Sequence, residues 1–112
     1  MNQEIKILLI LAAKAANYTI ESEGVECFYI STSSCRNKSW NPLIDDGDAF
    51  RLAITCRITA SQSTSDEQTD EPYAWATYKD IEFDEGLENG DLFTATRMAI
   101  IKVAAEIGKS MQ

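Results

Sequence analysis

The sequence contains no histidine, and this absence removes much of the common chemistry of enzymes. Without histidine there is no Ser-His-Asp or Cys-His nucleophile arrangement, no His-ligated zinc, and no ordinary general base for neutral pH. The chain also lacks a phosphate-binding loop, a dinucleotide-binding glycine pattern and a nucleophile elbow. We therefore expect a protein that is not an enzyme and that uses no cofactor.

Cysteines are few and odd in number, namely Cys27, Cys35 and Cys56, and no two of them form a C-x-x-C pair. This pattern predicts neither a disulfide framework nor a zinc site, and it fits a reducing compartment, so we expect a cytoplasmic protein. Cys27 and Cys56 fall in strand-like runs and are expected to be small core residues, whereas Cys35 falls in a polar stretch and is expected to be exposed.

Long hydrophobic runs are also missing. The apolar run at residues 7–13 is too short to span a bilayer, and the segment before it is not clearly basic, as that of a signal peptide would be. We interpret this run as part of a buried helix, and we expect no contact with a membrane.

Positive charge is scarce, because 10 Lys and Arg stand against 18 Asp and Glu, for a net charge of −8. This balance argues against direct binding of nucleic acid or of anionic lipid. Ten of the acids and a single base, Lys79, lie in residues 66–91. This acidic segment either keeps the protein soluble or forms an interaction face for a basic partner.

A chain of 112 residues can bury one core, and we expect a single domain over residues 1–112. Periodicity and capping signals predict the order α-β-β-α-β-β-α. The first half of the chain is predicted to form a helix at 4–17, a hairpin at 18–31, a loop at 31–39 and a short helix from Asp45 or Asp46. The second half is predicted to form a strand at 54–60, a loop at 61–72, a strand at 73–79 and a helix from Asn89 or Asp91 to about 108. Ile81 and Phe83 either continue the strand at 73–79 or pin a loop. The expected fold class is α+β, a sandwich of helices and a small, mainly antiparallel sheet.

The first and last helices carry apolar residues on more than one face. A helix of this kind has to be covered on two sides, either by its partner helix and the sheet together or by a second protein copy. We expect a homodimer.

Three side chains are candidates for interaction: Trp40, Asn41 and Arg97. Trp40 and Asn41 precede Pro42, and they form either an exposed recognition knob or a core plug in which Asn41 hydrogen-bonds the turn. We favour the core plug. Arg97 either binds a ligand carboxylate or phosphate, or forms an ion pair with an acid of residues 45–48.

Three aspartates, Asp45, Asp46 and Asp48, could hold Mg²⁺ or Ca²⁺ through their oxygens. Their spacing does not match a calcium-binding loop, and acids at the start of a helix stabilise it through capping and the helix dipole. We therefore expect no metal site here.

Several of these segments together resemble a known family. The segments are W-N-P-L at residues 40–43 with D-D-G-D-A at 45–49, A-x-R-x-A-I at 95–100, A-A-E-I-G at 104–108, and A-A-K-A-A at 12–16. The combination is similar to a family of small tailed-phage and prophage proteins. The resemblance implies a phage ABA-sandwich type domain, an accessory role in a bacterial host cell and no established biochemical activity.

We therefore expect a non-enzymatic module that binds an unidentified host or phage protein. The alternative is that residues 66–91 mimic nucleic acid and inhibit a host defence or DNA-handling protein.

Overall fold

The computed structural model describes residues 1–63, 72–87 and 91–111. Within these ranges the elements are α1 (Gln3–Ala15), β1 (Thr19–Glu23), β2 (Phe28–Ser31), β3 (Lys38–Trp40), α2 (Asp46–Cys56), β4 (Thr59–Ser63), β5 (Tyr73–Tyr78), β6 (Ile81–Glu85) and α3 (Leu92–Lys109). Strands β1-β2-β3 form one antiparallel sheet, sheet A, and β4-β5-β6 form a second, sheet B. The α+β class, with helices packed on antiparallel sheets, is confirmed.

The helix starts follow the predicted capping signals. Asp45 caps α2 by accepting a hydrogen bond from the backbone N–H of Asp48, and Asp91 caps α3 by accepting one from Thr94. Each cap satisfies a donor that the first helical turn leaves without an intrahelical partner. These two bonds fix where α2 and α3 begin.

The predicted strand at residues 54–60 is wrong in its first half, because α2 continues to Cys56 and β4 begins only at Thr59. Arg57 ends the helix in the left-handed conformation, with φ of 59°, and its N–H donates to the carbonyl oxygens of Ala53 and Ile54. The alternation of apolar residues from Ile54 to Ala60 is typical of a strand, but its first residues continue the helical turns of α2 that precede them.

Two strands lie where the sequence predicted a loop or left the structure open. Strand β3 begins inside the predicted loop at 31–39 and ends one residue beyond it, and it pairs with β2 so that Trp40 lies opposite Phe28. Both predicted alternatives for Ile81 and Phe83 are wrong, because after a turn at Lys79 they lie in a separate strand, β6, which folds back on β5. The predicted loop at 61–72 begins inside β4, and residues 64–71 of it lie outside the described residues.

Helix α3 is central to the fold, since it packs on α1, α2 and sheet B. Its closest approach is to α1, where a Cβ atom on Gly108 would overlap the carbonyl oxygen of Leu11. Only glycine permits the two backbones to come so near. Ile7 and Ile10, on the far side of α1, remain about half exposed. Among the described helices, none is long and apolar enough to cross a membrane.

Candidate functional site: an apolar groove between α2 and α3

Trp40 is a core residue. It is only 2% exposed, and its ring packs edge-on against Tyr18 with 5.8 Å between the ring centroids. Of the two predicted roles for Trp40, the structure thus places it as a plug of the core, at the point where β3 ends and the chain turns towards α2.

Asn41 is buried as well, and hydrogen bonds hold both ends of its side-chain amide. The side-chain nitrogen donates to the carbonyl oxygen of Glu26 at 2.7 Å, and Oδ1 accepts from the backbone N–H of Leu43 at 2.9 Å. The backbone N–H of Asn41 donates to Oδ2 of Asp48, also at 2.9 Å. We call Trp40, Asn41 and Asp48 the corner. It ties the end of β3 to the first turn of α2, and so it positions α2.

The three aspartates of this region have separate partners. Asp45 caps the helix, Asp46 pairs with Arg97, and buried Asp48 accepts from Arg51 at 2.8 Å in addition to Asn41. Within the described ranges no group of three potential metal ligands lies close enough to hold an ion.

Arg97 joins α3 to the start of α2. Its Nε donates to the carbonyl oxygen of Leu43 at 2.8 Å, one terminal nitrogen donates to Asp46 at 2.6 Å, and the other donates to Thr94 at 3.1 Å. The ion pair with an acid of residues 45–48 is therefore present. All three guanidinium nitrogens already have acceptors inside the chain.

An apolar groove with a cavity volume of about 950 Å³ lies between α2, β4 and the first half of α3. Buried or half-buried residues form its floor, and they are Ala53, Ile58, Ala60 and Ile100. Three large apolar side chains line it and yet are mostly exposed, namely Phe50 at 64%, Ile54 at 60% and Phe93 at 65%. The pair of Arg97 and Asp46 also lines this groove.

Sequence reasoning did not find this groove. The predicted strand at 54–60 takes Ile54 out of the helix, so the direction that Ile54 shares with Phe50 stays hidden. Once α2 is known to reach Cys56, the spacing of Phe50 and Ile54 puts them one turn apart on one face. The sequence signal for the groove is the helical spacing of apolar residues, which continues as far as Cys56.

The cysteines are free within the described residues. Cys56 is buried, as predicted, and burial raises the pKa of its thiol to about 11, so the thiol stays protonated and unreactive at neutral pH. Cys35 is exposed, as predicted. Cys27 was expected in a strand in the core, but it is half-buried in the turn before β2.

Five of the ten acids in residues 66–91 lie outside the described residues. Of the others, Glu85 pairs with Lys102 of α3 at 3.0 Å, and Asp91 caps α3, where the hydrogen bond from the Thr94 N–H lowers the pKa of the Asp91 carboxyl. Glu82 and Asp84 are exposed on β6, with Asp84 directly opposite Trp75 of β5. Asp80 is exposed in the turn between these two strands.

No protein-family model, curated protein or solved structure matches this chain.

Proposed function

We propose that this protein is a non-enzymatic module that binds another protein through the groove between α2 and α3. The observation that carries the proposal is the exposure of Phe50, Ile54 and Phe93 along one groove. A fully buried aromatic side chain hides about 150–250 Å². The three side chains together therefore leave roughly 350 Å² of apolar surface in water, which is in the range of the functional patches of soluble proteins.

A protein segment suits this groove better than a small molecule does. Sites for small molecules are enclosed and offer a few free polar groups that orient the ligand. Here the largest side chains stand out into solvent, and Arg97, the only cation among the described residues of the lining, already donates to Leu43, Asp46 and Thr94. An amphipathic helix laid with its apolar face in the groove would cover Phe50 and Phe93 together.

The motifs at residues 40–49, 95–100 and 104–108 support an accessory role in a tailed phage or prophage, and thus action in the cytoplasm of a bacterial host. In that setting the partner is a protein of the host or of the phage. Trp40 and Asn41 contribute by positioning α2, and Arg97 contributes by fixing the distance between α2 and α3 at the groove.

Affinity capture from a bacterial lysate tests this proposal. The tagged protein is compared with Phe93→Asp, which places a charge in the groove, and with Val25→Asp, which makes an equivalent change at a residue that is 88% exposed and does not line the groove. We expect a stoichiometric partner to be retained by the unchanged protein and by Val25→Asp and to be lost with Phe93→Asp. Circular dichroism checks that both variants fold. Equal retention by all three proteins would overturn the assignment of the groove.

A second candidate function is inhibition of a nucleic-acid-binding protein by mimicry. It is favoured by Asp80 in the turn before β6 and by Glu82 and Asp84 along β6, an edge strand of sheet B; all three are exposed and make no ion pair within the described ranges. Such a row of carboxylates attracts a basic partner. Replacing the three by Asn, Gln and Asn should abolish capture of a basic partner at low salt, whereas Phe93→Asp should leave it intact. The reverse pattern would exclude mimicry.

A further inference from the structure

We infer that a second copy of this chain covers the groove when no other partner is bound, with the α2 helices of the two copies antiparallel and each over the groove of the other. This inference rests on the proposed function, since it assigns a first occupant to the same protein-binding groove. The arrangement is a symmetric homodimer in which both copies use one surface.

The side chains along α2 suit this pairing. Gly47, Phe50, Ile54 and Arg57 follow one another at intervals of three or four residues, so they form a single stripe on the helix. When two such stripes run antiparallel about a two-fold axis, Phe50 of one copy lies opposite Ile54 of the other, and Gly47 lies opposite Arg57. The aromatic ring of each copy is then covered by an aliphatic side chain and by Phe93 of the other.

The charges at the two ends of α2 are complementary in the same register. Asp45 and Asp46 are exposed at the N-terminal end, and Arg57 is exposed at the C-terminal end. Arg57 forms no ion pair with any residue that the structure describes. Antiparallel pairing brings it to the end of the second copy that carries Asp45 and Asp46. It also sets the two helix dipoles in opposite directions.

The apolar area fits a dimer of ordinary size. A standard protein interface removes about 800 Å² from each partner, of which somewhat more than half, roughly 450 Å², is nonpolar. The roughly 350 Å² that Phe50, Ile54 and Phe93 leave exposed supplies most of this nonpolar part from one surface.

Sedimentation velocity of the full chain over roughly 1–100 μM tests the inference, because interfaces of this size commonly bind in the micromolar range or tighter. We expect the unchanged protein to dimerise. Ile54→Arg places a charge in both halves of the contact and should weaken self-association about 100-fold or more, the effect expected at the centre of an interface. The matched change Ile7→Arg, on the half-exposed face of α1, should leave the dimer intact.

Reversing the charge of Arg57 tests whether the two α2 helices pair in the antiparallel register or only make apolar contact. Arg57→Glu sets like charges against each other at both ends of the interface and should weaken the dimer about tenfold or more. Arg36→Glu makes the same change at an exposed residue in the segment between β2 and β3 and should have no effect. Because Arg57 and Arg36 are both exposed, neither change is expected to prevent folding.

A chain that remains monomeric at about 100 μM would overturn the inference, as would a dimer that Ile7→Arg dissociates and Ile54→Arg does not. A monomer whose lysate partner is still lost with Phe93→Asp would leave the proposed function standing without the homodimer. A dimer lost with Ile54→Arg, combined with no partner that depends on Phe93, would support the homodimer and overturn recognition of another protein.

Discussion

Helix α3 packs closely on α1 along one flank, the closed flank, and leaves a groove towards α2 along the other, the open flank. Towards α1, Gly108 lets the two helix backbones touch, and most of the second half of α3 is buried or nearly so. Towards α2, Phe93 stands out into water, and Arg97 ties the two helices across a groove that remains open. Much of the apolar surface that the sequence places on α1 and α3 is therefore buried where these helices meet, while Ile7 and Ile10 of α1 stay about half exposed. The most exposed large apolar side chains of the three helices, Phe50, Ile54 and Phe93, lie where α3 faces the short helix α2.

The largest loss of stability is predicted for a substitution where α3 packs on α1. Gly108→Val would force α3 away from the carbonyl of Leu11, and we expect a loss of about 3 kcal/mol or more in the free energy of unfolding. Urea denaturation followed by circular dichroism measures it. The control Gly47→Ala adds a Cβ that meets only side-chain ends of Asp45 and Arg51, and it should change stability by less than about 1 kcal/mol. Equal losses for both variants would mean that the close contact of α1 and α3 does not hold in solution.

The corner that positions α2 gives the next effect. Asp48→Ala leaves the buried N–H of Asn41 without its acceptor, and it should cost about 2–3 kcal/mol of unfolding free energy. Asp46→Ala, on the same helix, removes a carboxylate whose side chain is 66% exposed and should cost less than about 1 kcal/mol. Thermal denaturation ranks the two. Should Asp46→Ala prove the more damaging, the ion pair to Arg97 rather than the corner would fix α2.

Arg57 allows a gain in stability at the open flank. Its left-handed backbone costs a side-chain-bearing residue more than it costs glycine, so Arg57→Gly should raise the free energy of unfolding by about 0.5–1 kcal/mol. The measurement is made in an Ile54→Arg background, so that self-association does not contribute. Arg36→Gly, where φ is not positive, should produce no gain. A loss of stability with Arg57→Gly would mean that α2 does not end in this conformation.

The smallest effect is expected in the groove itself. Phe93 is 65% exposed, and Phe93→Ala should change the stability of the monomer by no more than about 0.5 kcal/mol. Ile101→Ala, at a fully buried residue eight positions further along α3, should cost about 2–5 kcal/mol. Calorimetric melting of both variants at low protein concentration compares an exposed position of α3 with a buried one. A large loss with Phe93→Ala would show that Phe93 is packed and that the groove is closed in solution.

Local patterns in the sequence account for much of the fold. The caps Asp45 and Asp91 were predictable because a capping carboxylate acts within three residues of its own position. The alternation in residues 73–79 identified β5 because one of its faces is buried. Trp40 and Asn41 were predictable as a core plug because a buried Trp-Asn-Pro turn needs its own hydrogen bonds.

The remaining features depend on contacts between distant parts of the chain. Strand β3 contains Lys38 and Ser39, which have no strand preference of their own, and it exists because β2 supplies its hydrogen bonds. Arginine carries no signal for a positive φ, so the end of α2 at Arg57 could not be foreseen. The groove exists because α2 and α3 are held apart, and no pattern of residues in the sequence specifies the distance between two helices.

The edges of the two sheets have a consequence for the protein at high concentration. An exposed strand edge can template the stacking of further chains into fibrils. Three of the four edge strands are protected: β1 carries Glu21 and Glu23 together with a bulge, β3 is only three residues long, and β6 carries Glu82 and Asp84. The fourth, β4, carries no charged residue and lines the groove. Protected edges of this kind disfavour stacking at β1, β3 and β6, so an added strand would meet the least opposition at β4, beside the groove.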